Sequence, residues 1–370
     1  MSDVAIVGAA HTAQGELAGR SANSIAVEAV ALALADAGLQ KSDLDGLITC
    51  QPVGTRSGTD WQIGAALGIR PQYSATLEYG SCNFSLHLAV MAIRAGFAST
   101  IALVYGANHR TGRTDFSITS AASMLGPASG YLHIAGPSAM AVRRYQHLYG
   151  LTEEEFGWIA VGQREWAQKN PLAVFTDPLP MSEYLRMPYM VAPLRRPDIT
   201  MISDGGVALI VTSTEHAADL GHPAVEIVGM AQDAPLYEEP DALMRPMFGR
   251  CASRLYEQSG VGPAEVDVLY VQEPTALTVL QALEAFGFCK EGEAGGFLAE
   301  GHTRPGGDLP VNTNGGQLSE SYMWGWLHLV EAVRQLRGDC GDRQVEARTA
   351  LYCSSGGFAK CGATALRRSG

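Results

Sequence analysis

Apolar and polar positions alternate along the chain in blocks of two lengths. Val4 to Gly8 is an unbroken apolar run ending in small residues, the pattern of a strand buried on both faces. Ser24 to Ala37 places apolar residues at helical spacing and stops at Gly38. Leu44 to Cys50 reads as a second strand, Thr59 to Leu67 as a short helix, and Gln72 to Glu78 as a segment that ends a strand. Leu86 to Ala98 is apolar nearly all round, which predicts a buried helix, and Thr100 to Gly106 is a further buried strand. Short strands alternating with helices predict a layered α/β fold.

From about Asn108 to Thr200 the pattern loses this regularity. Two helices, near Ser138–Tyr149 and Thr152–Asn170, precede a loop rich in Pro and Arg. The stretch reads as an insertion in the α/β core, of the kind that shapes a substrate site. Ser203 to Gly206 is a turn leading into the strand Val207–Val211. The second half repeats the alternation. It predicts strands at Ala224–Met230, Val266–Val271, Ala347–Cys353 and Ala363–Arg367. Helices are expected at Pro240–Ser259, Ala276–Phe286 and Leu318–Leu336, with a Gly-rich loop over Glu291–Pro310. The shared order suggests an ancient duplication, with halves at 1–212 (insertion at about 108–200) and 213–370.

Composition narrows the functional classes. The 370 residues carry a net charge of −12 and no basic block, which argues against nucleic acid and anionic membrane surfaces as partners. Seven cysteines form no CxxC pair, and an odd count suits a reducing cytosol. The chain enters a strand directly, with no signal peptide and no apolar run long enough to span a bilayer, so a cytoplasmic location is expected. GxGxxG and P-loop patterns are absent, and no His/Cys/Asp spacing suggests a metal site.

The candidate chemistry centres on Cys82, in Tyr79-Gly80-Ser81-Cys82-Asn83, a Gly-containing turn that opens the buried helix. A thiol at a helix N-terminus meets the positive end of the helix dipole and unpaired backbone N–H groups. Both lower its pKa and favour the nucleophilic thiolate. The alternative is a small core residue, the commonest role of a free Cys.

Four stretches, Ser81-Cys82, Ser203-Asp204-Gly205-Gly206, Asn312-Thr313-Asn314-Gly315-Gly316 and Cys353-Ser354-Ser355-Gly356-Gly357, together resemble the thiolase superfamily. Leu283 to Cys289, Leu309 to Gly316 and Glu331 to Gly338 look most like its lipid-carrier (sterol-carrier-type) thiolases and CoA-ester aldolases. The resemblance implies a thiolase fold, two βαβαβαββ halves in a five-layer α-β-α-β-α sandwich, and a homodimer. It implies Cys82 as acyl-accepting nucleophile and Cys353 as the acid/base at the substrate α-carbon. The backbone N–H groups of Cys82 and Ser355 match an oxyanion hole. Gln272, where thiolases carry Asn, matches the residue that holds a water for a second one. Asn314, Gly315, Gly316 and Gly356 match substrate-binding positions. Asp204 resembles the family's turn aspartate.

One departure divides the reading. Thiolases usually carry Gly-His-Pro where this chain has Ser321-Tyr322-Met323. Tyr322 replaces the activating His, and a neutral Tyr is a poor base at pH 7. In the retro-aldolase branch a Tyr here looks like the working residue, with a second Tyr where this chain has Gln272. The first expectation is therefore a thiolase that cleaves the C2–C3 bond of a bulky (steroid or aromatic) 3-oxoacyl-CoA through a Cys82 acyl-enzyme, with CoA as acceptor. The second is a retro-aldolase acting on a 3-hydroxyacyl-CoA with Tyr322 as proton shuttle, and the third a non-catalytic scaffold subunit. The resemblance implies no bound cofactor besides CoA as substrate, and a small zinc-binding, OB-fold partner subunit. His87, His133, His302 and His328 are weighed as site contacts, and His87 and His328 read better as packed helix residues.

Overall fold

The computed structural model describes residues 3–78, 82–116, 134–221, 223–234, 248–356 and 360–369. Its strands are β1 (Val4–His11), β2 (Gly46–Gln51), β3 (Tyr73–Glu78), β4 (Thr100–Asn108), β5 (Tyr189–Val191), β6 (Leu194–Arg195), β7 (Asp204–Ser213), β8 (Val225–Asp233), β9 (Val268–Val271), β10 (Thr349–Gly356) and β11 (Lys360–Arg368). Nine form one sheet in the order β3-β2-β4-β7-β1-β8-β11-β10-β9, and β5 pairs with β6 in a separate hairpin. β2 runs parallel to β3 and β4, and β9 runs parallel to β10. The wing before residue 214 meets the wing after 224 where Ala5 and Ile6 of β1 pair with Glu226 and Val225 of β8.

Alternation along the strands sorts side chains into three apolar clusters. Ala5, Val7, Leu47, Ala102, Val104, Ala208 and Ile210 face outward under α1 (Ala22–Ala37) and α2 (Asp60–Leu67). Their neighbours Ile6, Ile48, Tyr105 and Leu209 face a middle layer of α3 (Cys82–Arg94) and the helix Trp326–Arg337. That middle layer is also faced by Val268, Tyr270 and Tyr352 of the second wing. Leu269, Val271, Leu351 and Cys353 face outward again, under the helices Gly249–Ser259 and Leu277–Ala285. The layers are therefore α-β-α-β-α, as the resemblance implies. Each fully buried Leu, Ile or Val adds about 1.5–3 kcal/mol to this stack.

The insertion contributes the helices Ala135–Tyr149 and Glu153–Ala167 to the second wing's outer cluster. Thr152 caps the latter, its hydroxyl accepting the Glu155 N–H. Four elements differ from the sequence reading. The expected loop over Glu291–Pro310 contains a short helix, Ala294–Ala299. α3 begins at Cys82 itself and stops at Arg94, since Ala95 and Gly96 close it with turn hydrogen bonds. Of the helix expected from Pro240, the part from Gly249 is helical, and residues 235–247 lie outside the described ones. The single helix expected over Leu318–Leu336 is two: Gly316–Ser319, then Trp326–Arg337. Between them Trp324 and Gly325 take left-handed backbone angles, φ +50° and +78°. Among the described residues no helix is long and apolar enough to cross a membrane.

Candidate active site

Cys82 is the first residue of α3 and is fully buried in the middle layer. Its position at a helix start was expected to lower the thiol pKa. The structure reverses that expectation, because burial pushes the thiol well above its ordinary value and Cys50 adds to the rise. The Cys50 sulfur lies 3.0 Å from Ser85 Oγ, and burial lifts Cys50 to about 12. At pH 7 Cys82 is thus a neutral thiol.

Tyr322 sits in the break between the two helices, buried, with its backbone N–H donating to Ser203 Oγ (3.3 Å). Aromatic rings surround it: Phe116 edge-on at 5.7 Å, Trp324 at 5.6 Å and His109 at 6.2 Å between centroids. Burial, with Tyr105 second, holds the Tyr322 phenol well above its ordinary value. Tyr105 Oη lies 2.9 Å from His109 Nε2, and His109 Nδ1 lies 3.0 Å from Thr114 Oγ1. Burial lowers His109 to about 4, against the pull of Asp204, so at pH 7 its ring is neutral. One ring nitrogen then accepts a proton and the other donates one. Cys50 adds to the rise of Tyr105, and Cys50, Cys82 and Tyr105 belong to the same middle-layer cluster.

His109 escaped the sequence reading. The available signal was a histidine one residue past a buried strand that lies parallel to its neighbour, the end at which α/β sheets present functional groups.

Cys353 requires a correction. It was expected beside Cys82, but strand alternation turns it to the opposite face of the second wing. It packs there in the outer cluster with Cys251 and Cys361, while its neighbour Tyr352 faces the middle layer. Burial also raises the Cys353 thiol, with Cys361 and Glu273 adding to the shift.

The Ser355 N–H, expected in an oxyanion hole, donates to Gln272 Oε1 at 2.9 Å. The Ser355 N–H and the Gln272 side-chain oxygen, expected at separate oxyanion sites, are therefore engaged with each other. Asn314 Nδ2 bonds Glu320 and lies 3.1 Å from His328 Nδ1. A Cβ on Gly315 would come within 2.7 Å of Ala167 Cβ, and one on Gly316 would overlap Gln163 and Glu273. This turn is thus packed against protein, where a substrate-facing surface was expected. Gly356 ends β10 opposite Lys360, while Gly80, Ser81 and Gly357 lie outside the described residues.

The other candidates have structural partners. His328 Nε2 pairs with Glu273 at 2.9 Å, fully buried. His87 lies between Thr364 Oγ1 (2.9 Å) and Gln232 Nε2 (2.8 Å). His302 pairs with Asp308 and Glu300 in a loop, and His133 lies outside the described residues. Asp204 accepts the N–H groups of Leu17, Arg110 and Thr111, the turn role expected of it. Among the described residues no His/Cys/Asp/Glu group is arranged to hold a metal.

The structure gathers a neutral histidine and buried phenols around Tyr322, and Cys82 lies buried in the same middle-layer cluster as Tyr105. Such a set polarises carbonyls and carries protons more readily than it supplies a thiolate.

Residues 229–368 match the family model described as thiolase C-terminal domain-like. A steroid side-chain-cleaving aldolase of Thermomonospora curvata is 34% identical over 97% of this chain and 96% of its own. The 17-hydroxy-3-oxo-4-pregnene-20-carboxyl-CoA lyase of Mycobacterium tuberculosis is 36% identical over 90% of this chain and 91% of its own. Among solved structures, an Ltp2-ChsH2(DUF35) aldolase superposes with a TM-score of 0.91 at 34% identity, covering 99% of this chain and 98% of that one. Human mitochondrial 3-ketoacyl-CoA thiolase, at 15% identity and a TM-score of 0.75 over 100% and 99% of the two chains, shares the fold.

Proposed function

Since the chain belongs to the thiolase superfamily, in its lipid-carrier and CoA-ester aldolase branch, we propose that it is a retro-aldolase that cleaves the C2–C3 bond of a bulky 3-hydroxyacyl-CoA. Tyr322 carries this choice over the acyl-enzyme reading: it stands at the position of the activating His, buried among aromatic rings, and a neutral phenol is a poor base for generating a Cys82 thiolate. The names of the two relatives, a side-chain-cleaving aldolase and a pregnene-carboxyl-CoA lyase, support a steroid acyl group.

In this mechanism the Tyr322 oxygen takes the proton of the 3-hydroxyl while the phenol gives its own proton to C2. The C2–C3 pair, spread into the thioester as the bond breaks, ends in the new C2–H bond, giving a shorter acyl-CoA and a ketone or aldehyde. No proton is gained or lost overall. Tyr322 is a neutral phenol before and after the exchange, so its raised pKa is no obstacle to it. His109 and Tyr105 hold polar groups behind the Tyr322 ring and steady its surroundings.

Two further parts belong to the proposal. A small second subunit assists binding of the CoA ester, an inference supported by the two-component name of the solved neighbour. The chain also forms a homodimer through β3, an edge strand whose residues are half-buried to exposed in the single chain.

The test uses the purified chain, with and without its partner, and steroid 3-hydroxyacyl-CoA esters, following carbonyl release by mass spectrometry. Cys82→Ala is expected to keep cleavage, and Tyr322→Phe to lose about 10²–10⁴-fold, the usual worth of a positioned acid/base. An acyl adduct formed from a 3-oxoacyl-CoA without free CoA, and abolished by Cys82→Ala, would return the protein to the thiolases. Full-rate turnover by the chain alone would remove the partner subunit.

A further inference from the structure

Tyr322 belongs to the second wing, but several groups that seat it come from the first. Its ring meets His109 and Phe116, which follow β4, and its backbone N–H donates to Ser203 Oγ just before β7. The residue before it, Ser321, is buried, and its hydroxyl donates to Gln14 Oε1 at 3.1 Å. Gln14 lies in the loop after β1, 307 positions away in the chain.

Gln14 is held so that this bond can form. Its Nε2 donates to the Thr12 carbonyl at 3.0 Å. A carbonyl only accepts, so it fixes the amide nitrogen on that side and leaves Oε1 facing the Ser321 hydroxyl. Thr12 is locked in turn, its N–H donating to the Gly206 carbonyl at 2.9 Å and its Oγ1 accepting the Gly206 N–H at 3.0 Å. On the other side of Gln14, Gly15 exchanges both backbone hydrogen bonds with Asp204, at 2.8 and 3.0 Å. The amide itself fills the space that a side chain at 205 would need. A Cβ on Gly205 would come within 2.1 Å of Oε1 and 2.7 Å of Nε2. Gly205 pairs with Ala107 of β4 as a strand residue, so the glycine serves the amide and not a left-handed turn.

We propose that Gln14 is a positioning residue for the cleavage: seated by Ser203-Asp204-Gly205-Gly206, its amide pins Ser321 and so holds the Tyr322 ring in its socket on the first wing. This rests on the retro-aldol reading, in which Tyr322 is the working group. One phenol oxygen has to meet the 3-hydroxyl while its own proton meets C2, and an error of about 1 Å in such an alignment costs about 10²-fold in rate. Gln14 acts through Ser321 and not on the substrate.

Gln14→Ala removes the acceptor and Ser321→Ala the donor, and the two are combined in a double-mutant cycle on the full chain with its partner subunit. Each single variant is expected to lose about 10–10²-fold in kcat with KM changed by less than about twofold, and the double variant to be no slower than the slower single one. Melting temperatures should stay near that of the wild type. Gly205→Ala, whose new methyl would displace the amide, should slow the wild type and add little to Gln14→Ala. It also breaks the contact independently if Gln14→Ala does not fold. A fluorotyrosine incorporated at position 322 should give a sharp ¹⁹F resonance that shifts or broadens when Gln14 or Ser321 is replaced. Losses that multiply in the double variant, or a kcat for Gln14→Ala within about twofold of wild type, overturn the proposal. A wild type that does not cleave 3-hydroxyacyl esters, with the resonance still dependent on Gln14 and Ser321, would refute the aldolase reading and leave the positioning in place.

Discussion

Replacing Gly325 by Ala separates the folded geometry from the linear pattern more sharply than any other single change. If Leu318–Leu336 were one helix, the substitution would stabilise it by about 1 kcal/mol, the helix-propensity difference between Gly and Ala. The structure requires the opposite sign. Gly325 sits at φ +78°, where an L-side chain costs about 1–2 kcal/mol. The added methyl would also overlap the Tyr352 hydroxyl and press on Gln272, and overpacking of this kind costs about 1–3 kcal/mol. Together these give a loss of about 2–5 kcal/mol. At about 2.1 cal/mol/K per residue, 370 residues unfold with about 0.8 kcal/mol/K, so Tm should fall by about 3–6 °C. Differential scanning calorimetry measures this directly. Cleavage should fall as well, because the displaced groups flank the Tyr322 turn. A melting temperature equal to or above that of the wild type would refute both the break in the helix and the close approach of Tyr352.

Two other outcomes follow from the same geometry. Burial lowers His87 from its ordinary value to about 3, so the native state resists a proton that the unfolded chain accepts. Stability from this group is complete above about pH 6.5 and is lost as pH falls below it, by about 3 kcal/mol between pH 7 and pH 4. Denaturant midpoints of His87→Gln should therefore decline less steeply over that range, and parallel slopes for the two proteins would contradict the reasoning. Cys353→Ala should leave cleavage within about twofold of wild type, because its thiol lies on the face away from Cys82, and should cost on the order of 1 kcal/mol of stability. A rate loss of a hundredfold would restore Cys353 to the site.

Much of the fold is legible in the chain because it depends on local period. Val4–Gly8, Thr100–Gly106 and Ser24–Ala37 announce their burial through runs and spacings that few other structures satisfy. The motif order, from Cys82 through Asn312–Gly316 to Cys353–Gly356, points to the family, and Tyr322 marks the departure that separates aldolase from thiolase. What the chain could not disclose is direction and environment. A strand residue faces one side or the other according to register, so pairing of β10 with β9 and β11 turns Cys353 to the outer cluster and Tyr352 to the middle layer. A helix start by itself does not show whether a thiol is buried, and burial of Cys82 raises its pKa. The left-handed turn at Trp324–Gly325, hidden within a helical pattern, sets Gly325 against Tyr352 and Gln272, where a side chain does not fit. The sequence by itself determines the layers, the family and the unusual Tyr322. Only the tertiary structure decides which hydroxyls and thiols meet, because that depends on contacts between residues far apart along the chain.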